Sequence, residues 1–261
     1  MGQSRQRKLA FVLILAVLLL PCVALPQQAP SPLVQGVGPI EITVSDMDRA
    51  LKFYSEVLSF EKLSDQNVED TNYLGLEGAS ASGVRVARMR LGDEYIELMQ
   101  FAGTQGRPVP ADSRSNDRWF QHIAIGDTNT SLRFYRDLLG LRIEGISDNS
   151  GIEQEHLSGV PGAAVHITSL RASSGPGIEL LEYRFPQNGR PISPDERATD
   201  LVHREITLMT ANAKGVSKEL RRDHAHFVSP DLITFYENEL GFREGFVVRD
   251  PDGHALRIVE P

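Results

Sequence analysis

Apolar and polar residues alternate along Gly83–Leu91 (GVRVARMRL) and again along 164–170 (AVHITSL), the period-two pattern of half-buried β-strands. Elsewhere the period lengthens. Leu132, Tyr135, Leu138 and Leu139 fall on one face of a helix predicted to start after Asp127, whose carboxylate suits an N-cap. This segment, DTNTSLRFYRDLLGLRI, repeats an earlier one, DMDRALKFYSEVLSFEK. Asp46 matches Asp127, Phe53 matches Phe134, Tyr54 matches Tyr135, and Leu58 matches Leu139. Downstream, YIELMQFAGTQGRPVPADSRSND from Tyr95 is echoed by GIELLEYRFPQNGRPISPDERATD from Gly177. Each places a Glu-bearing strand before a Gly-Arg-Pro linker, so each repeat reads as strand, helix, then three strands. A third repeat follows, with a strand over Arg204–Met209 and a helix over Ala213–Arg222. A strand over 244–248, an Asp250-Pro251-Asp252-Gly253 turn and a last strand over 255–259 complete it. The expected architecture is α+β, with βαβββ repeats at 38–103, 120–185 and 201–261 and a linker at 186–200.

The first residues follow another logic. Arg5, Arg7 and Lys8 precede an unbroken apolar run over 9–20, then Pro21 and small residues up to Ala24. This is the layout of a secretory signal peptide over 1–24, and it predicts export to the periplasm or the medium. The run is short for a membrane span, though an uncleaved N-terminal anchor is the alternative. Residues 25–37, rich in Pro and Gln, read as a flexible leader. Residues 1–24 carry three basic and no acidic groups, so their removal takes the net charge from −8 to −11. Such an acidic body is a poor nucleic-acid binder. Cys22 is the sole cysteine, so the mature chain has no disulfide, thiolate ligand or thiol nucleophile.

The Phe-Tyr helix, the Leu-Gly after it, the later Glu-Leu strand and the DPDGH turn at 250–254 together resemble the vicinal oxygen chelate superfamily. Its members include glyoxalase I, bleomycin-resistance proteins and extradiol dioxygenases. The resemblance implies paired modules forming a cupped mixed sheet. It also implies a divalent metal (Zn, Mn, Fe or Ni) held by first- and fourth-strand ligands. Carried over position by position, it puts Pro39 on the first strand of the first repeat, seven residues before Asp46, and Glu97 on its fourth strand. His122 and Glu179 take these places in the second repeat, Glu205 and Arg257 in the third. The implied metal set is Glu97, His122 and Glu179, with Glu97 and Glu179 as catalytic carboxylates. Such a metal can polarise a carbonyl while a neighbouring carboxylate moves a proton.

Each residue has a plainer reading beside this one. Glu97 and Glu179 also suit the solvent face of half-buried strands, and His122 suits a hydrogen-bonded core position. His156 and His166 read as surface or packing residues, His254 as part of its turn, and Tyr54 and Tyr135 as core. Pro39 and Arg257 cannot bind a cation. Pro39 precedes Phe53 by fourteen residues and His122 precedes Phe134 by twelve, which suggests a deletion seam at Ile125-Gly126-Asp127. With the first two repeats paired over 38–185, the third is expected to lack an in-chain partner and to seek one in a homodimer. Three functions follow: a metal-dependent lyase, isomerase or dioxygenase acting on a small molecule with vicinal oxygens, a metal-free small-molecule binder, or an inactive remnant.

Overall fold

A computed structural model describes residues 32–119, 123–235 and 241–261. The signal segment, most of the expected leader and His122 lie outside the described residues. Among those described, no helix is long and apolar enough to cross a membrane.

The first repeat comprises β1 (Gly36–Thr43), α1 (Met47–Lys52), β2 (Glu61–Val68), α2 (Thr71–Leu76), β3 (Gly83–Leu91) and β4 (Glu94–Ala102). Asp46 caps α1 by accepting from the Arg49 amide, and α1 runs on into a π-helical turn over Phe53–Val57. The second repeat comprises β5 (Ile123–Ile125), α3 (Thr128–Leu132), β6 (Arg142–Ser150), α4 (Ile152–Ser158), β7 (Ala164–Arg171) and β8 (Ile178–Phe185). Asp127 caps α3 in the same way, through the Thr130 amide, and a π-helical turn again follows, over Arg133–Leu138. The third comprises β9 (Arg204–Met209), α5 (Ala213–Arg222), β10 (His226–Phe227), β11 (Ile233–Thr234), β12 (Glu244–Arg249) and β13 (Ala255–Glu260).

The repeats pair differently from the expectation. The first and third share one nine-stranded sheet in the order β10-β12-β13-β9-β1-β4-β3-β2, with β11 on β12. Their first strands, β1 and β9, run antiparallel at its centre and place Glu41 opposite Glu205. The second repeat forms a separate four-stranded sheet, β5-β8-β7-β6. The third repeat is therefore not the unpaired one, and the motive for a homodimer through it disappears. Hydrogen bonding of an edge is satisfied by whichever strand the whole chain brings there, and nothing local in the sequence specifies that partner.

Order also begins earlier than Gly38. Val34 and Val37 are buried, and the amides of Val34, Gln35 and Val37 donate to the carbonyls of Leu139, Met209 and Ser174. The end of the expected leader thus stitches the second repeat to β9. One apolar core joins Leu132, Phe134, Tyr135 and Leu139 of the second repeat to Val216 and Leu220 of α5. Leu208, Phe246, Val248, Leu256 and Ile258, from the large sheet, complete it.

The two linkers hold each other by reciprocal clamps. Arg107 of the first donates to Asp200 and Asp195 of the second, with Nη2 to Asp200 Oδ2 at 2.6 Å. Arg190 of the second donates to Asp117 and Asp112 of the first, with Nη2 to Asp117 Oδ2 at 2.6 Å. The backbone follows the same exchange: the Arg118 amide donates to Arg190 carbonyl and the Leu201 amide to Arg107 carbonyl. Gly106 and Gly189 permit the close crossing. A Cβ on Gly106 would stand 1.6 Å from the Thr199 carbonyl oxygen, and one on Gly189 would stand 1.9 Å from that of Asn116. The linkers share a Gly-Arg-Pro and an aspartate five and ten residues after each arginine, and these shared residues make the two-way fit.

Candidate functional site

Side chains alternate between the faces of a strand, so register decides which of them meet. Glu41 on β1 is paired with Glu97 on β4 and with Glu205 on β9, while Arg257 on β13 is paired with Thr207 on β9. These residues share the face of the sheet that α2 covers. Ile42, Met89 and Leu98 take the other face, under α1. The seven-residue count from Asp46 had pointed to Pro39; the structure puts Glu41 in that role. Glu41 stands twelve residues before Phe53, just as His122 stands twelve before Phe134. The spacing difference that suggested a seam therefore vanishes.

Arg257 sits at the centre of the cup. Its Nε donates to Glu205 Oε1 at 2.9 Å, and its Nη2 donates to Glu77 Oε1 at 2.8 Å, to the Tyr73 hydroxyl at 3.1 Å and to Glu41 Oε2. Glu97 Oε2 lies 3.5 Å from Nη1. The Thr207 hydroxyl donates to the other oxygen of Glu41 at 3.0 Å. Glu41 and Glu205 are fully buried, and Arg257 is 1% exposed. Burial draws the guanidinium down to about 9, which leaves it a cation at neutral pH. Four carboxylates surround it, and burial pushes Glu77, Glu97 and Glu205 upward, the last to about 7.

A second group adjoins this one. His203, just before β9, is 3% exposed, and its Nδ1 lies 2.6 Å from Glu196 Oε1. Arg249 Nη2 donates to the other oxygen of Glu196 at 2.5 Å. With Nδ1 held at this carboxylate, Nε2 is the ring nitrogen that faces Glu205, 3.9 Å from its Oε2. Ligand atoms of Glu77, His203 and Glu205 all lie within 4.8 Å of one another, a buried group able to hold a metal ion.

Of the sequence-derived set, Glu97 enters the cup, next to Arg257 and 3.8 Å from Arg88 Nε. Glu179 stands exposed on β8 of the other sheet, where it accepts from the Ser169 hydroxyl at 3.2 Å. The two carboxylates are not brought together, because their strands belong to different sheets. His122 lies outside the described residues. Glu205 and Arg257 occupy the strand positions that the resemblance gave them. Glu41, Glu77 and His203 escaped the sequence reading. Matching the twelve-residue spacing to Phe53 would have found Glu41. Glu77 follows a helix of six residues containing Gly75, too short to show a period.

The metal position that the resemblance implies does not fit a divalent ion here. Arg257 fills the place of a fourth-strand ligand and itself binds the carboxylates that would serve as the others. His254 and Tyr135 are structural. His254 bridges Asp250 and the Arg118 carbonyl, each at 2.9 Å, and the Tyr135 hydroxyl donates to Asp250 at 2.9 Å.

The model of the Glyoxalase/Bleomycin resistance protein/Dioxygenase superfamily matches this chain twice, over residues 36–126 and 118–258. A glyoxalase I variant from Zea mays superposes with a TM-score of 0.50 at 13% identity, covering 88% of this chain and 92% of its own. A glyoxalase family protein from Bacillus cereus gives 0.42 at 14% identity, covering 60% of this chain and 92% of its own. Methylmalonyl-CoA epimerase from Mycobacterium tuberculosis gives 0.38 at 13%, covering 90% and 93%. No curated protein matches the chain.

Proposed function

This chain belongs to the Glyoxalase/Bleomycin resistance protein/Dioxygenase superfamily, and we propose that within it the protein binds a small molecule and does not catalyse a glyoxalase-type reaction. Arg257 carries the reading. Its guanidinium takes the fourth-strand ligand position and bonds to Glu41 and Glu205 there, so that position offers neither a Lewis acid nor vicinal substrate oxygens an open place. The ligand would enter a cavity of about 500 Å³ between the second and third repeats, lined by Phe134, Ile192, His224, Ala225 and His226 among others. That volume suits a small organic molecule, and the mixed lining suits one with an apolar body and a polar edge. A thermal-shift panel of small aromatic and carbonyl compounds tests it. Saturable stabilisation, abolished by Ile192→Trp, is expected. Steady turnover of a glyoxalase I, epimerase or extradiol substrate overturns it.

A second reading, a metal-dependent lyase, isomerase or dioxygenase acting on vicinal oxygens, is favoured by the Glu77, His203 and Glu205 group. It requires turnover that stops on chelation and returns with metal.

Export is proposed from residues 1–24. A mature mass short of those residues in the extracytoplasmic fraction is its expected signature, and an intact N-terminus in the cytosol counts against it.

A further inference from the structure

Besides Arg88 Nε, next to Glu97, three buried atoms in the cup have no hydrogen-bond partner among the described residues: Glu77 Oε2, His203 Nε2 and Glu205 Oε2. They belong to the same three residues whose ligand atoms cluster within 4.8 Å, and His203 Nε2 lies 3.9 Å from Glu205 Oε2. Each carboxylate gives its Oε1 to Arg257 and leaves its Oε2 unused. The imidazole gives its Nδ1 to Glu196 and leaves its Nε2 unused. An unpaired buried acceptor is costly, and one cation between these three residues would satisfy all of them.

We propose that Glu77, His203 and Glu205 bind a divalent first-row cation of the zinc type beside Arg257, as a buried site with three protein ligands. One imidazole and two carboxylates suit Zn²⁺ or Co²⁺, whereas Mg²⁺ and Ca²⁺ prefer all-oxygen surroundings. The Glu196 carboxylate behind the imidazole is the orienting partner that metal-bound histidines have. The site shares Glu205 with the strand-ligand positions but takes Glu77 and His203 from outside the strands, and it rests on the residue group of the second reading above, not on the small-molecule binding.

The test uses the full chain expressed in minimal medium supplemented with Zn²⁺ or Co²⁺. Metal analysis is expected to give one ion per chain, retained through gel filtration. The Co²⁺ form is expected to show visible ligand-field bands and one paramagnetically shifted, exchangeable imidazole N–H proton, that of His203 Nδ1. His203→Gln should lose the ion, Glu196→Gln should weaken binding about 10- to 100-fold, and His166→Gln should leave it unchanged. Metal-free protein from both media overturns the proposal. So does an ion retained at full affinity in His203→Gln, or a Co²⁺ form without a shifted imidazole proton. The last measurement is made on the unmutated chain, so it decides the matter even where a variant fails to fold.

Discussion

Arg257 on β13 reaches across β9 to Glu41 on β1, so that one cation ties the third repeat to the first. Its removal leaves four buried carboxylates facing each other. Arg257→Met is expected to destabilise the chain by about 3–5 kcal/mol, the usual cost of breaking a buried ion pair from one side. Arg257→Lys should recover only part of this, because an ammonium cannot serve Glu205 and Glu41 from separate nitrogens. Urea denaturation of the three proteins measures both effects. An unchanged midpoint in Arg257→Met would show that the network adds nothing net to stability.

The linker clamps predict matched losses. Asp200 and Asp117 are almost fully buried beneath Arg107 and Arg190. Arg107→Ala and Arg190→Ala should each lower the denaturation midpoint, and the two losses should match because the geometry is exchanged residue for residue. Chemical denaturation reads both, and a large effect from only one of them contradicts the reciprocity.

Acid should open one clamp in a defined window. Burial raises Asp200, but the Arg107 hydrogen bonds and two backbone amides outweigh it and hold the carboxyl at about 2, below its ordinary 3.8. A depressed carboxylate stabilises the folded chain fully above its unfolded pKa, and that contribution is lost as the pH falls through about 2. Asp200→Asn should lower stability at neutral pH and flatten the decline between pH 4 and pH 2, as followed by thermal unfolding at stepped pH. A decline as steep as that of the parent chain excludes Asp200 as its source.

Tyr135 tests how the second repeat is seated. Its hydroxyl donates to Asp250 at 2.9 Å, in the turn between β12 and β13. Tyr135→Phe removes one bond to a buried carboxylate and should cost about 1.5–3 kcal/mol. Differential scanning calorimetry would register the loss as a lowered melting temperature. No change would mean that the amides of Asp252 and His254, with the His254 ring, satisfy Asp250 by themselves.

Much of the fold was legible because it is local. The strands Gly83–Leu91 and Arg204–Met209 and the helix Ala213–Arg222 stand where alternation and helical spacing put them. The caps at Asp46 and Asp127 make the predicted bonds. Partner choice was not legible. β1 had to find β9 across more than a hundred and fifty intervening residues, and no periodicity encodes that selection. The site failed at the same level. Glu97 lies beside Arg257 in the large sheet, whereas Glu179, chosen to accompany it, lies on a strand of the other sheet. Glu77 and His203 flank regular elements, so their burial depends on tertiary packing alone.

The reciprocal clamps bear on how such a chain can be shortened or recombined. Each connector supplies the arginine that its counterpart's aspartates require, so neither is complete in a fragment that lacks the other. Excising one repeat along with its connector would leave the surviving connector's guanidinium and both of its acids without their partners. The pair behaves as a lock with two keys, and any rearrangement that keeps these bonds has to carry both.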